Sequence, residues 1–217
     1  MTTRAPIRVV LAEDHTIVRE GLRAVLEASG MTVVGESGNV TEAMADIVRL
    51  VPDVVLLDLG LPDRSGLDLL SQLAGRGLPT RVLVLTVSDR PWHVAEATRL
   101  GAAGYVLKGA SGDEVVKAIN DVLHGRTHFT GAVAARAVEA ASGQAPDPMA
   151  ALSTRERQIM RMVVSGMSSA AIGAELHLSP KTVDTYRSRL MAKLGVHDLA
   201  NLVRVAVRMG VIDSDNG

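Results

Sequence analysis

Short runs of β-branched and apolar residues recur through the first half of the chain. They are Ile7–Ala12 (IRVVLA), Thr32–Gly35 (TVVG), Asp53–Asp58 (DVVLLD), Arg81–Thr86 (RVLVLT) and Gly104–Leu107 (GYVL). Between them the apolar residues follow a helical period. Ile17, Val18, Leu22, Val25 and Leu26 fit it, as do Val115, Val116, Ile119, Val122 and Leu123. Ser111 and Glu114 form a capping-box pattern, and Gly125 follows the last turn of that segment. Such alternation leaves few folds open: a parallel sheet with helices on both faces. The runs are continuous rather than alternating, as strands covered on both faces must be.

In sheets of this kind ligands bind outside the carboxyl ends of the strands, at the point where the strand order reverses. Glu13 and Asp14 follow the first strand, Asp58 ends the third, Thr86 ends the fourth and Lys108 follows the fifth. Carboxylates, a hydroxyl and an ammonium would thus meet at one edge. Oxygen-rich clusters suit a hard divalent cation such as Mg²⁺. Beside it an aspartate can accept a phosphoryl group, with a lysine pairing the phosphoryl oxygens. Asp58 is the candidate nucleophile, and the loop Leu59-Gly60-Leu61-Pro62 offers a carbonyl near the metal position. Each residue alone reads as a loop residue, a helix cap or a solvated head. Their joint occurrence at separate strand ends carries the functional reading.

Composition narrows the alternatives. The chain has 217 residues and no cysteine; 47% of its residues are hydrophobic, and only 2% are aromatic. Disulfide scaffolds, zinc-thiolate sites and thiol nucleophiles are excluded, and the apolar content argues against wholesale disorder. No apolar run approaches about 18 residues, so no membrane span is expected. Met1–Pro6 has no signal-peptide core, and a cytoplasmic protein is expected. The net charge of −1 conceals a division. Residues 1–125 hold 12 Lys+Arg against 16 Asp+Glu, and residues 151–217 hold 9 against 6. The stretch 126–150 is balanced, Ala-rich and then Gly- and Pro-containing. It reads as a short helix over Gly131–Ala141 followed by a linker at Ser142–Pro148. The expected organisation is therefore 1–125, a linker 126–150, and 151–217.

The strand-and-helix residues match a known family. LAEDH (Glu13, Asp14, His15), VVLLDLGLPDRSG (Asp58), VLVLTVSD (Thr86) and GAAGYVLKGAS (Tyr105, Lys108) resemble the receiver domain of two-component response regulators over residues 7–124. The resemblance implies a flavodoxin-like, doubly wound, five-stranded parallel α/β domain. It implies phosphorylation of Asp58 by a sensor histidine kinase, with Mg²⁺ bound by Asp14, Asp58 and the Gly60 carbonyl and assisted by Glu13. It makes Thr86 and Tyr105 a switch pair, Thr86 moving toward the phosphoryl group and Tyr105 turning inward, with Lys108 on the phosphoryl oxygens. Two positions depart from the common pattern: Leu61 stands where many receivers have Met, and Gly109 where many have Pro.

Strand patterns end at Leu152. Ser153 and Glu156 form a second capping-box pattern, opening a helix with Ile159, Met162 and Val163 on one face and Gly166 at its end. Ser168 caps a short helix with Ile172 and Leu176. After His177-Leu178, Ser179 caps a third helix with Pro180 at its first position, ending at Gly195. A last helix spans roughly Leu199–Met209. Two short helices joined by a tight turn, the second bearing Lys181, Arg187, Arg189 and Lys193, describe a helix-turn-helix. This all-α, four-helix segment is similar to the LuxR-type helix-turn-helix of the NarL/FixJ subfamily, through Arg155-Glu156, Gly166, Ile172–Leu176, Lys181-Thr182-Val183 and Lys193-Leu194-Gly195-Val196. The resemblance implies binding to double-stranded DNA. Asp184, Thr185 and Ser188 would face base edges, Val183 would pack inward, and Lys181, Thr182, Tyr186, Arg187 and Arg189 would hold the backbone. Ser168-Ser169-Ala170-Ala171 stands where the family commonly has a polar Asn-Lys pair.

The expectation is a non-enzymatic transcription regulator that forms a homodimer when phosphorylated. Leu199, Leu202, Val203, Ala206 and Met209 are the expected dimer surface, or else they pack on the neighbouring helices. Two other functions share parts of this residue set. A haloacid-dehalogenase-like phosphatase needs a second acid two residues after the nucleophile, where Gly60 stands. A regulator of the same fold acting on DNA without phosphorylation is opposed by the intact Asp14, Asp58, Thr86 and Lys108 set. The four aromatic residues, Trp92, Tyr105, Phe129 and Tyr186, are expected largely outside the cores.

Overall fold

The structure is a computed structural model that describes residues 5–131, 133–135, 148–196, 198–208 and 211. The chain divides into two units, Met1–Ala145 and Pro146–Gly217. In the first, the elements run β1 (Arg8–Ala12), α1 (Thr16–Ala28), β2 (Thr32–Ser37), α2 (Val40–Leu50), β3 (Val54–Leu57), α3 (Gly66–Ala74), β4 (Arg81–Thr86), α4 (Pro91–Arg99), β5 (Gly104–Leu107), α5 (Gly112–Leu123) and β6 (His128–Phe129).

All strand pairings are parallel, in the order β2-β1-β3-β4-β5-β6. The reversal point falls between β1 and β3, so Glu13-Asp14 and Asp58 follow neighbouring strands. The sheet has six strands rather than the expected five. β6 pairs Gly104 with His128 and Tyr105 with Phe129, so residues read as the start of a linker belong to the sheet. A two-residue strand has no periodicity by which to be seen. The expected helix over Gly131–Ala141 and the linker Ser142–Pro148 lie largely outside the described residues.

Alternate residues of each strand feed two cores, one on each face of the sheet. Val10, Ala12, Val55, Leu57, Val84 and Tyr105 pack with buried residues of α2, α3 and α4. Val9, Leu11, Val54, Leu56, Leu83, Leu85 and Val106 pack with those of α1 and α5. Each fully buried Leu or Val of this kind contributes roughly 1.5–3 kcal/mol relative to exposure. Aromatics are used here after all. Tyr105 is completely buried, and Trp92 and Phe129 pack against the same core. With little other aromatic bulk available, the sheet buries its largest side chain on β5, one strand in from its β6 edge.

Helix starts follow their caps. Asn39 accepts from Glu42 N–H, Ser65 from Leu67 N–H and Ser111 from Glu114 N–H. α2 ends on Val51 in the left-handed region at φ 44°, a costly conformation for a β-branched residue.

In the second unit a 3₁₀ turn (Pro148–Ala151) leads to α6 (Thr154–Val164), α7 (Ser169–Leu176), α8 (Pro180–Leu194) and α9 (Leu199–Arg208). The full reciprocal capping box forms at Ser153 and Glu156. Ser168 and Ser179 cap α7 and α8, Pro180 opens α8, and Gly195 ends it in the left-handed region. Ile159, Met160, Val163, Ile172, Val183, Leu190, Leu194, Leu202, Val205 and Ala206 are buried. The expected dimer residues of α9 therefore divide. Leu202 and Ala206 are buried within the unit, Leu199 is 46% exposed and Val203 is half-buried. Met209 lies outside the described residues.

Candidate phosphoacceptor pocket and DNA reader

The pocket is assembled by main chain before any side chain takes part. Glu13 N–H donates to Ser37 O at 3.0 Å, Asp58 N–H to Ala12 O at 2.9 Å, and Lys108 N–H to Thr86 O at 2.9 Å. Each strand end is thus pinned to its neighbour, and the acidic and basic side chains leave from a fixed edge.

Glu13, Asp58 and Thr86 are buried there. Lys108 Nζ donates to Asp58 Oδ2 at 2.7 Å and lies 2.6 Å from Glu13 Oε2. The other Asp58 oxygen, Oδ1, is buried and has no hydrogen-bond partner among the described residues. A buried carboxylate oxygen in that state is costly unless a cation or donor completes it. Glu13, Asp14, His15 and Asp58 each offer a ligand atom, all within 4.8 Å of one another. The donor set fits a divalent cation. Gly60 lies beside the same carboxylate: a Cβ there would stand 3.5 Å from Asp58 Oδ2.

Burial works against the Lys108 charge, but the hydrogen bonds it donates to Asp58 and Glu13 outweigh it and hold the ammonium above its ordinary range. His15 Nδ1 stands 3.0 Å from Glu13 Oε1 and 2.7 Å from Asp14 Oδ1. The Glu13 hydrogen bond, followed by the Asp14 charge, raises the His15 pKa.

Sequence reasoning missed several supports of this pocket. Asp63, in the loop after Asp58, accepts from Val40 N–H at 2.8 Å and from Thr41 N–H at 3.1 Å. It caps α2 from 22 residues away. Its carboxyl loses solvation by burial, but these donors prevail and lower its pKa. Gly66 is obligatory for a steric reason: a Cβ there would lie 2.3 Å from the Asp58 carbonyl oxygen. Ser88 sits between the two expected switch residues. Its N–H reaches Thr86 Oγ1 at 3.4 Å, its carbonyl accepts from Tyr105 OH at 2.7 Å, and its hydroxyl contacts His93 Nδ1 at 2.6 Å. Tyr105 stands in the inward position. The VLVLTVSD segment contains Ser88, but nothing local signals its three partners.

In the second unit α7 and α8 form the expected helix-turn-helix. Val183 packs inward, while Lys181, Asp184, Thr185, Ser188 and Arg189 are exposed, and Thr182, Tyr186 and Arg187 are half-buried. Two expected DNA-facing side chains are tied to α7. The Ser169 hydroxyl donates to Asp184 Oδ1 at 2.6 Å and accepts from Arg187 Nη1 at 2.9 Å. Lys193, counted among the basic residues of the reader, is structural. Its ammonium donates to Glu156 Oε2 at 2.7 Å, the oxygen that also accepts Ser153 N–H at 2.7 Å. Burial of Glu156 opposes its charge, but the Lys193 and Ser153 hydrogen bonds lower its pKa.

The comparisons agree with both halves. Residues 9–120 match the response regulator receiver domain, and residues 150–206 match the bacterial regulatory proteins of the luxR family. The chain is 38% identical over 212 residues to the "Probable transcriptional regulatory protein NarL" of Mycobacterium tuberculosis, covering 95% of this chain and 96% of that one. It is 35% identical to the response regulator UvrY of Escherichia coli, with 96% and 97% covered. Among solved structures it resembles RcsB from Salmonella enterica serovar Typhimurium bound to promoter P1flhDC with the phosphomimetic BeF3-. The TM-score is 0.61 at 26% identity, with 91% and 96% covered. Among the described residues no helix is long and apolar enough to cross a membrane. With a receiver fold, its acidic strand-end pocket and a LuxR-type helix-turn-helix in one chain, the protein belongs to the NarL/FixJ-type response regulators of two-component systems and is a DNA-binding transcriptional regulator.

Proposed function

We propose that Asp58 is the phosphoacceptor and that a sensor histidine kinase is the donor. The observation that carries this is the division of the Asp58 carboxylate: Lys108 holds Oδ2, and the buried Oδ1 has no hydrogen-bond partner among the described residues. An Asp58 oxygen attacks phosphorus in line, the P–O bond forms, the donor's P–N bond breaks, and the imidazole departs with the electron pair. Glu13, Asp14, Asp58 and the Gly60 carbonyl would hold Mg²⁺, which neutralises charge on the transferring group. Lys108 is then placed to pair a phosphoryl oxygen. Among the described residues the Thr86 hydroxyl is held by the long 3.4 Å contact from Ser88 N–H, and it turns toward that group. Ser88 links this movement to Tyr105.

Phosphorylation then switches the C-terminal unit to dimeric binding of promoter DNA, with half-sites about one helical turn apart. Of the expected dimer residues that are described, Leu199 and Val203 of α9 are left to an interface. Asp184, Thr185 and Ser188 read base edges, and Lys181, Thr182, Tyr186, Arg187 and Arg189 hold phosphates. Neither unit is an enzyme in this reading, and DNA as the target puts the protein in the cytoplasm. The residue ranges 1–125, 126–150 and 151–217 serve as phosphoacceptor, connector and reader, with β6 added to the first. The test is incubation with Mg²⁺ and a small phosphodonor. Wild type becomes labelled and Asp58→Ala does not; labelling of that variant overturns the assignment.

A further inference from the structure

The base-edge reading above gives Asp184 a difficulty. A carboxylate in the major groove is repelled by phosphates on both sides, yet it can accept from the exocyclic amine of cytosine. Its arrangement in α8 addresses this. Asp184 and Arg187 are three residues apart, on one helical face, and both reach one oxygen of the preceding helix. The Ser169 hydroxyl uses its single proton on Asp184 Oδ1 at 2.6 Å and accepts from Arg187 Nη1 at 2.9 Å. A hydroxyl can do both at once. One negative and one positive side chain are therefore fixed around a neutral hinge, and the trio brings no net charge to the groove.

We propose that Ser169 is a positioning residue for sequence readout, acting through Asp184 and Arg187. It holds one Asp184 oxygen toward α7 and leaves Oδ2 to the base edge. It keeps the guanidinium close enough to offset the carboxylate against the phosphates. Ser169 itself touches no base in this scheme. Its effect is on which base pair is preferred, and much less on how tightly any duplex is held, because phosphate contacts dominate affinity. The inference rests on the placement of Asp184 at a base edge.

The test is selection from a randomised DNA duplex pool by the phosphodonor-treated full chain, comparing wild type with Ser169→Ala, Ser169→Thr and Asp184→Ala. Asp184→Ala marks the position that Asp184 reads. Ser169→Ala should lose preference at that same position by about fivefold to a hundredfold, with non-specific affinity within about twofold. Ser169→Thr, which keeps the hydroxyl, should restore the preference, which a packing role alone would not explain. If Asp184→Ala erases a preference that Ser169→Ala leaves intact, this inference falls and the base-edge reading stands. If Asp184→Ala changes no position, both fall.

Discussion

The ammonium of Lys108 donates to Asp58 Oδ2 at 2.7 Å across 50 residues of sequence. It lies at the same time 2.6 Å from Glu13 Oε2. One cation thus separates two buried carboxylates, and removing it leaves them uncompensated.

Lys108→Met should destabilise the first unit by about 3 kcal/mol in metal-free buffer. Mg²⁺ should narrow the gap, because a second cation replaces the lost charge and binds only the folded state. Urea unfolding followed by Trp92 fluorescence, with and without Mg²⁺, checks this. An equal deficit under both conditions would contradict the shared role of the pocket.

Gly66→Ala should cost about 3 kcal/mol. The new Cβ meets the Asp58 carbonyl oxygen and Leu59 Cα, at 2.3 and 2.9 Å. Both are backbone atoms and cannot swing away as a side chain would. Thermal unfolding measures the loss, and phosphodonor labelling should slow because the Asp58 loop is displaced. A variant as stable as wild type would show that α3 is free to shift.

Glu156 predicts an acid-sensitive reader. Its pKa is lowered in the fold, so its stabilisation is present above the ordinary glutamate value of 4.5 and is lost as pH falls through the folded value. Glu156→Gln should remove about 1.5–3 kcal/mol at neutral pH and flatten this acid dependence. Hydrogen exchange of α6 and α8 amides across the acid range reads both effects in the second unit alone.

Val51 occupies left-handed backbone while 40% exposed. Asn adopts that region more readily and sacrifices no buried side chain. Val51→Asn is expected to stabilise the first unit by about 1 kcal/mol, seen as a higher urea midpoint with an unchanged slope.

Lys181 and Arg187 should differ in the salt dependence of DNA binding. Lys181→Ala should reduce the slope of log affinity against log salt by about 0.9. Arg187→Ala should reduce it by less, since that guanidinium is already engaged by Ser169. Equal reductions would mean that DNA pulls Arg187 off its hinge.

Much of this was legible from residues alone, because strand-end chemistry and helix caps are local signals. Asp58 at the end of DVVLLD and Ser153 with Glu156 needed only spacing. What escaped was set by tertiary proximity. Asp63 caps a helix far from it in sequence. Lys193 counts as one more basic residue of the reader helix until Glu156 is brought beside it. Ser169 is one serine among several until α8 crosses α7. Tyr105 was rightly placed at the fifth strand, but its complete burial depends on which face of the sheet its register selects. β6 escaped because two residues cannot show a period.

That short strand has a consequence for assembly. An open strand edge is a template onto which another chain can add. At β5 that template is occupied by His128 and Phe129 over Gly104 and Tyr105, and Val106 and Leu107 alone are too short a stretch to seed a continuous ribbon. The edge that a second molecule meets on this side is β6, and at two residues it too is short for a continuous ribbon. Association there can be made and undone by surface charge and shape, without the near-permanence of strands zipped between molecules.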